Sequence, residues 1–92
     1  MSDMVGKRII FKGKVQGVGF RYNVRSLAGT FDIAGYVKNL PDGTVELLAQ
    51  GTEENVAGLV DAVKRRMAGY ISDALESPAQ DAGRRPGFEI AF

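Results

Sequence analysis

Between Gly13 and Arg21 the chain reads GKVQGVGFR, three glycines within seven residues, then an arginine. A run such as Gln16-Gly17-Val18-Gly19-Phe20 can curl until successive backbone N–H groups point inward as a nest for an anion. Glycine permits the curl and lets an anion approach without a Cβ in the way. If a helix starts here, its first N–H groups have no internal partner and carry partial positive charge, which suits phosphate. Arg21 would close the ring with paired donors matched to phosphate oxygens. A glycine-rich turn can also be only a turn. GVGFRY is not the dinucleotide fingerprint, because Tyr22 stands where the third glycine belongs, and no Lys-Ser/Thr pair follows as in a Walker loop. GVGF faintly resembles an RNA-recognition motif, but that motif sits on a central strand, whereas this stretch leads into a helix.

The elements that must position this loop follow from periodicity. Residues 7–15 alternate, with Ile9, Phe11, Gly13 and Val15 on one side, and read as a half-buried strand. Phe20, Val24, Leu27, Ala28 and Phe31 then share one helical face. Residues 34–40 and 44–50 are strands joined by Pro41-Asp42-Gly43, a hairpin turn. Thr52 is a candidate N-cap for a second helix. Glu53 and Glu54 suit its positive end, and Lys64, Arg65, Arg66 and a Gly69 cap suit its other end. Tyr70 to Leu75 is a weak strand, residues 77–87 a polar loop, and Phe88, Ile90 and Phe92 a short last strand. The order β-α-β-β-α-β with a short C-terminal strand predicts an α+β fold. It is the ferredoxin-like split βαβ sandwich, an antiparallel sheet with two helices on one face. Residues 1–6 are expected to be a flexible N-terminal tail and 7–92 one domain.

Composition narrows the chemistry. The chain has 92 residues, 45% hydrophobic and 25% charged, an ordinary globular balance. It has no cysteine and no histidine, so thiolate and imidazole catalysis are excluded, as are metal sites built on those ligands. The net charge of +1, with basic residues scattered, argues against nucleic acid as partner. No apolar run approaches a membrane span, and MSDMVGK is not a signal peptide. A cytoplasmic monomer without metal or cofactor is the resulting expectation. Arg8, Arg25, Arg84 and Arg85 read as solvated charges, and Tyr36 and Leu48 as packing together on the open face of the sheet.

Two blocks, VQGVGFR and AGYVKNLPDGTVE, carry a resemblance to the acylphosphatase family. The likeness is dense from Lys7 to Val63 and returns in GFEIAF, while residues 68–87 depart from it. The domain also resembles the N-terminal module of hydrogenase-maturation carbamoyltransferases; the end at residue 92 favours a free-standing enzyme. The resemblance implies hydrolysis of the carboxyl–phosphate bond of small acyl phosphates, giving a carboxylate and inorganic phosphate. It implies that Arg21 and the loop of Gln16, Gly17, Val18, Gly19 and Phe20 hold the phosphate. It also implies that Asn39, in VKNLPDG, positions the attacking water. Asparagine beside Pro-Asp-Gly can instead be plain hairpin chemistry. A non-catalytic anion-binding module on the same fold is the second reading.

Overall fold

The computed structural model describes residues 4–79 and 87–91. Its element order is β1 (Met4–Gly13), α1 (Phe20–Thr30), β2 (Ala34–Asn39), β3 (Val45–Thr52), α2 (Glu53–Arg66), β4 (Ile71–Pro78) and β5 (Phe88–Ala91). The strands form one sheet in the order β4-β1-β3-β2-β5. Its first four members are antiparallel neighbours, the split βαβ arrangement expected from sequence. β5 differs: it joins the far edge parallel to β2, with Gly35 opposite Phe88 and Lys38 opposite Ala91, so the sheet is mixed. Pairing with a strand so distant in sequence leaves no local mark in the residues. β1 begins earlier than its alternation suggests, because Met4, Val5 and Gly6 pair with Thr52, Gly51 and Gln50. β4 also runs further than expected, through Ser77 and Pro78.

Period-two alternation sorts the sheet into two faces. Ile9, Phe11, Val37, Val45, Leu47 and Ala49 are buried toward the helices. They meet Val24 and Ala28 of α1 and Leu59 and Val63 of α2. Each large apolar side chain fully buried here contributes roughly 1.5–3 kcal/mol. The other face carries no helix. There Tyr36 and Leu48 are directly paired across β2 and β3, as the parity of the strands predicts. Leu48 is nonetheless buried. Around it, Arg8 of β1 and the Tyr36 hydroxyl both bond to the Glu46 carboxylate on β3. Arg8, exposed as expected, is in addition paired with Glu46. Among the described residues no helix is long and apolar enough to cross a membrane.

α2 has a complete set of terminal signals. The Thr52 hydroxyl accepts from the Asn55 N–H at 3.1 Å, with Glu53 and Glu54 in the first turn and Lys64, Arg65 and Arg66 in the last. The helix closes on Met67 rather than reaching Gly69. Its end is tied to the edge of the sheet by Glu76 of β4, which takes Lys64 at 2.8 Å and Lys7 of β1 at 3.3 Å.

The Lys64 hydrogen bond, helped by Lys7, holds the Glu76 carboxyl below its ordinary value of 4.5. A lowered folded value means stability that is present above the unfolded value and lost as the pH falls through the folded one. Glu76→Gln is therefore expected to lower stability at pH 7 by less than about 1 kcal/mol, the range of part-exposed pairs. The gap to the parent should shrink as pH drops below 4.5. Urea unfolding at pH 7 and at acid pH measures it; a gap independent of pH would refute the clamp.

Candidate active site

The loop between β1 and α1 alternates apolar anchors with glycines. Val15 and Phe20 are fully or almost fully buried, and Val18 packs partly against the same core. Phe20 meets Phe11 of β1 with ring centroids 5.1 Å apart. These side chains point in, so the backbone between them lies on the surface. Gly17 and Gly19 are exposed and both adopt φ 77, a left-handed conformation that residues with a Cβ rarely take. The N–H groups of Gly17 to Phe20 donate to no carbonyl or side chain among the described residues. Gly19 is the N-cap of α1 and offers no side-chain cap, and the first turn contains no acid. α2, by contrast, satisfies its own N-terminus. Exposed, undonated N–H groups at the positive end of a helix are the arrangement that takes an anion.

Gln16 has a different task from its neighbours. Its side-chain Nε2 donates to the Leu40 carbonyl at 2.8 Å and the Thr44 carbonyl at 2.9 Å. The loop is thereby fastened to the β2–β3 turn. That turn is itself tight. The Leu40 N–H donates to the Thr44 carbonyl at 2.9 Å, and Asp42 Oδ1 accepts from the Thr44 hydroxyl at 2.6 Å and from its N–H at 3.0 Å. The Thr44 hydroxyl bond pulls the Asp42 carboxyl below its usual range, as expected of a turn residue. β1 and β2 are not neighbours, since β3 lies between them. The Gln16 clamp bridges that separation and sets the glycine loop beside Asn39.

Asn39 ends β2, opposite Val45, with the parity of buried Val37. Its Oδ1 is buried and has no hydrogen-bond partner among the described residues. Such an acceptor costs roughly 1–3 kcal/mol unless something donates to it. Arg21 sits in the first turn of α1, and its Nη1 donates to the Ala91 carbonyl of β5 at 3.4 Å. The guanidinium is thus held across the gap between α1 and the edge strand.

A cleft of about 520 Å³ gathers these groups. Gly17, Gly19, Phe20, Arg21 and Asn39 line it. Gln16 and Val18 do not; one reaches the turn and the other packs inward. The sequence reading missed Tyr22, Arg25 and the β5 residues Phe88, Glu89 and Ile90, all of which line the cleft. Arg25 could have been suspected from its place four residues after Arg21 on a helix. The β5 wall depends on a parallel pairing with no local signal. Among the described residues no group of three or more acidic, histidine or cysteine side chains is placed to hold a metal.

The acylphosphatase family model matches residues 7–90. The chain is 38% identical over 94 residues to an acylphosphatase of Caldivirga maquilingensis, covering 100% of this chain and 99% of that protein. It is 51% identical over 81 residues to the acylphosphatase of Clostridium acetobutylicum, covering 87% of this chain and 89% of the other. The crystal structure of acylphosphatase from Bacillus subtilis superposes with a TM-score of 0.86 at 36% identity, over 96% of this chain and 99% of that one. Full-length HypF, in a phosphate- and nucleotide-bound form, has the same fold over 100% of this chain. It matches with a TM-score of 0.85 and 21% identity, and the match spans 12% of that larger protein. Fold and sequence agree over nearly the whole chain, which therefore belongs to the acylphosphatase family.

Proposed function

We propose that the chain hydrolyses the carboxyl–phosphate bond of acyl phosphates by direct attack of water. The observation that carries this reading is the buried, partnerless Oδ1 of Asn39 in the same cleft as Arg21 and the undonated N–H groups of the glycine loop. A plain anion binder has no use for a buried acceptor beside its anion. A hydrolase does, because an acceptor there takes one O–H of a water and fixes its oxygen toward phosphorus.

Each group then has a role. The N–H groups of Gly17, Val18, Gly19 and Phe20 and the guanidinium of Arg21 bind the phosphoryl oxygens and stabilise the charge that builds on them. The Gln16 backbone closes the loop while its side chain holds the loop to the turn. Asn39 orients water through its carbonyl; the amide is not a base at neutral pH. The oxygen of water bonds to phosphorus, the bond from phosphorus to the acyl oxygen breaks, and the carboxylate leaves with the electron pair. A carboxylate has a weakly basic oxygen and needs no acid to leave. The proton of water goes to a phosphate oxygen or to solvent. This route needs no histidine, cysteine or metal, and the chain contains neither of the two side chains.

With benzoyl phosphate as substrate, Arg21→Gln is expected to lower kcat/KM by about 100-fold or more, the typical cost of removing one donor to a developing oxyanion. Asn39→Ala should lower kcat by a similar factor and leave the inhibition constant of inorganic phosphate nearly unchanged. Turnover surviving in Asn39→Ala would remove the proposed role of that residue. A folded parent that binds phosphate without turnover would establish the anion-binding module instead. Chelator should not change the rate; a loss on chelation, restored by a divalent metal, would overturn the metal-free route.

A further inference from the structure

Arg21 and Arg25 lie four residues apart on α1, so they share one helix face, about 6 Å apart along the axis. Both line the cleft. For the helix alone this is an unfavourable arrangement. Its N-terminal end is already positive, its first turn has no acid, and like charges at this spacing repel. The other described arginines are engaged: Arg8 with Glu46, Arg65 with Asp61, Arg66 with Asn23. Arg21 donates to Ala91. Arg25 has no ion pair or side-chain hydrogen bond among the described residues and is exposed at the cleft. Glu89 of β5 lines the same cleft. Beside Arg25 stands Tyr22, 73% exposed, which widens the wall available to the substrate.

Resting on the acyl phosphate reading, we infer that Arg25 is a specificity-determining residue that binds a second anionic group on the acyl part. With the phosphoryl group seated on the loop and Arg21, the acyl part extends along α1, one helical turn on, past Arg25. The favoured substrates are then acyl phosphates that carry a carboxylate or a second phosphate. The second anion also relieves the repulsion between the two arginines.

The test compares benzoyl phosphate with 3-carboxybenzoyl phosphate and 3-phosphonobenzoyl phosphate, using kcat/KM corrected for spontaneous hydrolysis. The parent should prefer one or both anionic probes, and whichever it prefers names the group. Arg25→Gln should lower that preference about fivefold, the upper range for an exposed ion pair, and Arg25→Lys should restore part of it. Added salt should weaken the preference in the parent. Arg65→Gln removes a charge on α2 outside the cleft and should leave it unchanged. Hydrolysis of benzoyl phosphate with no preference for either anionic probe overturns the role of Arg25 and leaves the hydrolase standing. A preference untouched by Arg25→Gln overturns it as well. So does a matching rise in the inhibition constant of inorganic phosphate, which would assign Arg25 to the transferred group. A parent inactive on all three probes overturns both proposals.

Discussion

The bond pair from the Gln16 side chain to the Leu40 and Thr44 carbonyls is the contact on which the site depends. In a split βαβ sheet β1 and β2 are consecutive in sequence but separated by β3. The loop leaving β1 must cross the end of β3 to meet the end of β2. Val15 and Phe20 bury the two ends of that loop, and Gln16 fastens it to the turn. The Leu40 carbonyl already accepts the Gly43 N–H and the Thr44 carbonyl the Leu40 N–H, and the Gln16 amide gives each a second donor. The turn and the glycine loop are thereby locked to each other.

The two helices treat their N-termini in opposite ways, and the contrast separates structure from function. α2 is capped by Thr52, backed by two glutamates and finished with three cations. Each of those features is worth a few tenths to about 1 kcal/mol to the fold. α1 begins on a left-handed glycine without a cap and carries Arg21 in its first turn, where the dipole disfavours a cation. The stability forgone there is recovered by packing, since Phe20, Val24 and Ala28 are buried in the common core. Local rules are obeyed at the N-terminus of α2 and broken at that of α1, the end that lines the cleft.

The edge strand β5 completes the cleft from the other side. It reaches α1 through Phe88 and Ile90, and its Ala91 carbonyl receives Arg21. One short strand thus forms a wall and steadies the guanidinium that faces it. The helix-free face of the sheet is covered differently, by Arg8, Glu46 and Tyr36 arranged over Leu48.

Much of this was legible in the residues because it is local. Alternation marks β1, β2 and β3, the 3.6-residue period marks α1 and α2, and Pro41-Asp42-Gly43 and Thr52 announce a turn and a cap. The glycine run announces a left-handed loop, since φ 77 at Gly17 and Gly19 is a conformation that glycine takes readily. The tertiary structure decided what depends on partners far away in sequence. Met4 to Gly6 became strand because Gly51 and Gln50 were there to pair with them, not because of any pattern of their own. β5 became a parallel edge because β2 offered its free side. The Gln16 side chain reaches the hairpin, and exposed Arg25 lines the cleft, because packing fixed the angle between loop, turn and helix. A sequence specifies what each segment can satisfy by itself. Which donor meets which acceptor across the fold is set only when the core closes.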